Sequence, residues 1–206
     1  MTARFAAAAL LLVAVMLSAA AGFAATSATG TNTVSPTLVV NVTVAKAVRL
    51  TLATGALGTP CAVNAGGSGD YNMSFGTVDA LGITPPSCGA SYAPTTPGVT
   101  PAVYYADYQV TPVFTSQTVT TNTVSAYVSA NFAKANLSIV QANSTPASIA
   151  GLTAMSILSA TPTNVVTTAV SGTALTRYIG VSIAPTNGAS LTGADAATVT
   201  YTLTVQ

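Results

Sequence analysis

The 206-residue chain has no histidine, no glutamate and no tryptophan, and only 4 % of its residues are charged. An ordinary soluble domain is about 25 % charged. Each absence removes a class of chemistry. Without histidine there is no Ser-His-Asp or Cys-His pair, so the usual base that activates a hydroxyl or thiol is missing. The imidazole ligands of most zinc and copper sites are missing too, and two cysteines alone do not make a tetrahedral zinc site. The bases are Arg4, Lys46, Arg49, Lys134 and Arg177, scattered along the chain. Phosphate binding needs clustered lysine and arginine, so no nucleic-acid partner is expected.

The acids are all aspartates, at 70, 79, 107 and 195. Asp70 and Asp79 are the nearest pair, and a pair of carboxylates is the minimum for glycoside hydrolysis. Aspartates beside glycine in loops more often serve turns. The string "GGSGDY" (66–71) resembles one copy of a calcium-binding Gly/Asp repeat, but such sites need stacked copies. No Gly-Lys-Ser/Thr follows, so it is not a phosphate loop. The expectation is a protein that is not an enzyme and binds no metal or organic cofactor. A hydrolase is the least supported alternative.

What is present begins with "MTARFAAAALLLVAVMLSAAAGFAAT". Arg4 supplies a basic start, an apolar run reaches about Ala21, and Gly22 and Ala24 fit the small-residue positions of a cleavage site. This reads as a signal peptide over 1–24. The alternative is an uncleaved anchor, since the run nearly matches a membrane span. Cleavage removes Arg4 and leaves four bases and four acids, a mature chain of zero net charge. No stable membrane insertion is expected after cleavage. Two cysteines remain, Cys61 and Cys88, and in an exported chain an even pair reads as one disulfide. The loop-entropy model assigns about 3–4 kcal/mol to a loop of this size.

Residues 25–37 are polar, lack periodicity and read as a flexible leader. A single β-sandwich domain is expected over 38–206. It opens with "LVVNVTVAKAVRLTL", in which Leu38, Val40, Val42, Val44, Val48, Leu50 and Leu52 share one parity. This is one long strand or two strands joined by a kink near 45–47. Further strands are expected in 71–78, 103–114, 123–132, 135–141, 163–170 and 177–185. Between them lie Thr-Asn, Ser-Gly, Asn-Gly and Thr-Gly turn signals. The final ten residues, "ATVTYTLTVQ", alternate without a break: Val199, Tyr201, Leu203 and Val205 point one way and threonines the other. One segment departs from period two. In 146–160, Ile149, Leu152, Met155 and Leu158 follow helical spacing, which fits either a short helix near 147–158 or an irregular crossover. Many short strands rich in Thr and Val indicate an all-β antiparallel sandwich.

Tyr104 and Tyr108 share one parity of the 103–114 strand. Exposed, they would offer aromatic faces for stacking on a sugar; buried, they would fill a core that has no tryptophan. The burial reading is favoured.

Residues 61–82, "CAVNAGGSGDYNMSFGTVDALG", followed by a second cysteine, resemble the secreted spore coat protein U family and related pilin-like domains. The Gly193–Val205 stretch, "GADAATVTYTLTV", is similar to that family's Gly-led last strand. The resemblance implies an immunoglobulin-like Greek-key sandwich, exported through the periplasm to the bacterial cell surface. It also implies partners: a periplasmic chaperone, an outer-membrane usher, and further copies or related subunits that exchange strands. Under this reading Leu38, Val40, Val42 and Val44 form the donated strand. Val199, Tyr201, Leu203 and Val205 line the groove that receives it, through main-chain hydrogen bonds and alternate side chains. The competing arrangement pairs both strands inside one monomer. A monomeric adhesive or carbohydrate-binding module is the alternative function.

Overall fold

The computed structural model describes residues 48–57, 61–65, 70–83, 85, 89–115, 122–185 and 193–205. The expected signal peptide, the leader, Leu38, Val40, Val42, Val44 and Cys88 lie outside those residues. The described strands belong to one compact unit, Ala45–Gln206.

The longest strand organises the rest. In chain order the strands are β1 (Val48–Thr54), β2 (Asn64–Ala65), β3 (Tyr71–Asn72), β4 (Ala90–Tyr92), β5 (Ala102–Phe114), β6 (Thr123–Ala130), β7 (Leu137–Ala142), β8 (Thr153–Ala154), β9 (Thr163–Val166), β10 (Leu175–Ile183) and β11 (Thr198–Thr204). The first sheet runs β1-β5-β10-β7-β8, with β4 also on β5. The second runs β11-β6-β9, and β2-β3 form a small pair of their own. Every pairing is antiparallel. The protein is all-β, as its alternation requires.

The core lies between the two sheets. Ala102, Tyr104, Tyr108, Val110 and Phe114 of β5 meet Val124, Ala126 and Val128 of β6, with Val165 and Val166 of β9. These β5 residues are all even-numbered because alternate side chains share a face. The odd-numbered Val103 and Tyr105 point the other way, yet they are buried too, against Val140, Ala142, Leu152 and Tyr178. The first half of β5, residues 102–108, is thus buried on both faces, whereas Gln109, Thr111 and Val113 beyond it are half-buried.

Two strands share one side of β5 in succession. β1 covers it from Phe114 to Tyr108, and β4 takes over from Tyr105 to Val103. Asp107 fills the gap between them. It is buried, and its carboxylate accepts hydrogen bonds from the backbone N–H groups of Ala56 (2.7 Å) and Leu57 (2.6 Å). Gly55 is required here, since a Cβ on it would overlap that carboxylate. Gly89 donates its N–H to the Leu57 carbonyl, and its φ of +70° together with the close Tyr105 carbonyl admits no side chain. Pro112 is tolerated inside β5 because the β10 ladder has already ended at the Leu175–Val110 pair.

Of the two readings of 147–158, the short helix does not form and the irregular crossover does. The segment makes one 3-10 turn, Ile149–Gly151, and then the short strand β8. Leu152 and Met155 are buried, while Ile157 and Leu158 are 61 % and 59 % exposed. The apparent helical spacing arises from a turn followed by extended chain that drops two side chains into two different clusters.

Candidate functional site at the open edge

The two long sides of the sandwich differ. On one side the chain itself crosses between the sheets. β8 pairs with β7 of the first sheet, and Met155 donates its N–H to the Ile139 carbonyl. One residue later the Ser156 carbonyl accepts from Val128 of β6, and β9 then joins the second sheet. Thr163 ties the crossing to β9 by accepting the Ser156 N–H at 2.9 Å. A single segment therefore hydrogen-bonds to both sheets and closes that side.

The opposite side carries β1 and β11, the end strands of their sheets. Among the described residues each has a strand partner on one side only: β5 for β1, β6 for β11. They approach each other across the sandwich. Their inward residues are Leu50 and Leu52 on β1, and Val199, Tyr201 and Leu203 on β11, continued by Val205. All pack on the core, and all remain half-buried. Their direct neighbours one strand inward, Val110, Val124 and Ala126, are 0–1 % exposed. The predicted groove residues Val199, Tyr201, Leu203 and Val205 are thus together on one inward-facing edge.

Two polar devices hold this edge in place. Tyr201 donates its hydroxyl to the Tyr108 hydroxyl at 2.9 Å, and the rings meet edge to face with centroids 6.0 Å apart. Burial pushes the Tyr108 hydroxyl up to about 12 and drives Tyr201 well above its ordinary 10.0. Part of the Tyr201 side chain stays accessible while its hydroxyl end lies inside. Arg177, opposite Tyr108 in the β5–β10 ladder, donates its Nε–H to the Val165 carbonyl at 2.6 Å and so bridges the sheets. Its pKa is lowered, first by burial, although the Tyr108 charge opposes this. The second device precedes β11. Asp195 accepts from the N–H groups of Lys134 (2.8 Å), Ala133 (3.1 Å) and Ala196 (2.9 Å), and these bonds lower its pKa. Lys134 Nζ lies 4.0 Å from the same carboxylate and donates to the Gly193 and Ala194 carbonyls.

Sequence reasoning missed both devices. An aspartate three residues before an alternating strand was the available signal for Asp195. No local signal marks the Tyr201–Tyr108 pair, which joins residues far apart in the chain.

From the sequence, burial of Tyr104 and Tyr108 was favoured over sugar stacking, and the fold buries both. They are 0 % and 3 % exposed, so neither ring has a face open to a ligand. The Tyr104 hydroxyl reaches the backbone of Asp79 at 3.3 Å, and Asp79 in turn accepts from the Leu81 and Ile83 N–H groups. Asp79 serves its own turn, and Asp70 lies exposed immediately before β3. Cys61 is fully buried against Ala106, Met73 and Phe75, and no described cysteine is a free thiol. Among the described residues no group of His, Cys, Asp or Glu side chains could hold a metal ion. No described helix is long and apolar enough to cross a membrane.

On the outer face of the first sheet a further aromatic group assembles. Tyr92 stacks on Tyr105 with centroids 5.4 Å apart, and Tyr178 meets Tyr105 edge-on at 6.4 Å. Burial first, then Tyr92, raises the Tyr105 pKa to about 12. Beside it a cleft of about 430 Å³ lies between the 92–101 loop and the 147–150 segment.

Comparison with known proteins returns no match, whether with family models, curated proteins or solved structures.

Proposed function

We propose that this chain is a secreted structural subunit of a bacterial surface assembly, with an immunoglobulin-like Greek-key topology, and that it polymerises by strand exchange. The observation that carries the reading is the β1/β11 side. Two edge strands there present half-buried alternate apolar residues next to each other, and neither carries a lysine or proline guard along its length. Natural sheets blunt such edges with charge, proline, bulges or a covering segment, because an open edge recruits other chains. β11 has one bulge, between Thr198 and Val199, and β1 has only Arg49 near its start. The occupant is the segment bearing Leu38, Val40, Val42 and Val44 from another copy. It alternates with the right period and carries no charge before Lys46. Main-chain hydrogen bonds to the two edges supply affinity, and its even-numbered side chains complete the half-covered core.

Export by the 1–24 signal peptide, a Cys61–Cys88 disulfide, and delivery by a periplasmic chaperone and an outer-membrane usher belong to the same reading. The test is the double substitution Val40→Asp, Val42→Asp in the exported chain. Burying two carboxylates in the neighbour's groove costs several kcal/mol, so assembly, read by size-exclusion chromatography and electron microscopy, should fail while the monomer still melts cooperatively. A variant that cannot fold places the segment in its own core and defeats the donor reading. A variant that folds and still assembles moves the contact elsewhere.

A further inference from the structure

We propose that the cleft between the 92–101 loop and the 147–150 segment binds a neutral pyranose sugar. It lies on the outer face of the first sheet, formed by residues that serve neither the sandwich core nor the β1/β11 edge. Its volume of about 430 Å³ falls within the ~300–1,000 Å³ range of small-molecule sites.

The lining decides the class of ligand. Tyr92, Pro101 and Ile149 supply an apolar wall, and Thr95, Thr100 and Ser148 supply hydroxyls. No lining residue is charged. A charged ligand would lose hydration there without gaining a partner. A pyranose ring offers what this wall accepts: a C–H face for an aromatic or aliphatic surface, and a hydroxyl rim for hydroxyl donors and acceptors. The aromatic element is held before any ligand arrives. One face of Tyr92 is stacked on Tyr105, and its hydroxyl donates to the Pro146 carbonyl at 2.9 Å. Fixing the ring in this way lowers the ordering cost of binding. The Ser148 hydroxyl makes no capping bond to the 3-10 turn it precedes, which leaves it able to turn toward a ligand. Thr100 is engaged within the loop: its hydroxyl accepts from the Thr96 N–H at 2.9 Å and from the Thr95 hydroxyl at 3.2 Å and donates to the Thr96 carbonyl at 3.3 Å, so Thr95 offers a ligand only its acceptor lone pairs.

The test uses the full exported chain, with binding followed by saturation-transfer NMR and calorimetry. The probes are methyl α-mannopyranoside, methyl β-galactopyranoside, lactose and 3′-sialyllactose. At least one neutral probe should bind, and 3′-sialyllactose should bind more weakly than lactose. Equal affinity for the methyl galactoside and lactose would identify a single-ring site, and tighter lactose binding would identify the end of a glycan chain; both support the proposal. Ala150→Arg is the decisive variant. Ala150 is exposed at the cleft, so an arginine there fills it without disturbing the core. Affinity should fall by at least about tenfold, with an unchanged melting temperature. Tyr92→Phe should keep most of the binding, because the ring remains. The proposal is overturned if no neutral probe binds, if sialyllactose binds as well as lactose, or if Ala150→Arg binds like the parent.

Discussion

The two sides of the sandwich solve the same problem differently. On the β8/β9 side, the segment between Leu152 and Val166 hydrogen-bonds to both sheets, and its inward residues Met155, Val165 and Val166 are 4 %, 1 % and 3 % exposed. On the β1/β11 side no described segment does this, and Leu50, Leu52, Val199 and Leu203 stay half-buried. The residue types are much the same on both sides. What differs is whether a described segment lies between the sheets. Burial of an aliphatic side chain stabilises by roughly 1.5–3 kcal/mol when complete. Among the described residues, those on the β1/β11 side therefore realise only part of that gain.

This contrast should be measurable in truncations. Met155→Ala, on the closed side, should cost about 2–5 kcal/mol in urea denaturation, the usual range for a fully buried methionine. Leu203→Ala, on the open side, should cost the isolated monomer roughly half of that range or less, because part of its surface is already wet. In the assembled form the order should reverse, with Leu203→Ala weakening association and Met155→Ala leaving it intact. Equal costs in the monomer would mean that the two sides are closed alike.

The tyrosine pair sharpens the comparison from within the open side. Tyr108 and Tyr201 both have raised pKa values in the fold. The unfolded chain then loses these protons first, at its ordinary pKa of about 10. The stabilisation is complete below that pH and is lost as the pH rises toward about 12. Tyr201→Phe should lower stability by about 1 kcal/mol at pH 7, because it removes the donor to the Tyr108 hydroxyl. It should also flatten the alkaline loss between pH 10 and 12, measured by urea titrations at each pH. An unchanged alkaline slope would remove Tyr201 from the account.

Asp195 gives the smallest effect. Its folded pKa lies below the ordinary 3.8, so its contribution is present above that pH and is lost as the pH falls through the lower, folded value. Asp195→Asn should reduce the melting temperature slightly at pH 7 and by less near pH 2. Hydrogen exchange should show the loss confined to the start of β11. A drop of equal size at both pH values would point to packing rather than to the carboxylate.

Much of this architecture was legible locally. The period-two alternation of 198–204 and of 48–54 marked strands, and both are strands. Val199, Tyr201, Leu203 and Val205 shared a parity in sequence and share a face in the fold. Residues 146–160 left helix and crossover open, because Ile149, Leu152 and Met155 are three apart in a turn-then-strand path as well as on a helix. Tyr104 and Tyr105 could not be sorted by pattern, since residues 102–108 of β5 are buried on both faces and carry no contrast between inside and outside.

By itself the sequence determined the all-β class, the parity of each strand's faces and the poverty of catalytic groups. These depend on composition and on a local period of two residues, which neighbours along the chain impose. Only the tertiary structure decided which described strands lie at the edges, that Asp107 caps the turn after β1, that Tyr201 meets Tyr108, and that a described segment crosses one side. Those outcomes depend on contacts between residues distant in the chain, where loop closure and packing choose among pairings that the local pattern leaves equivalent.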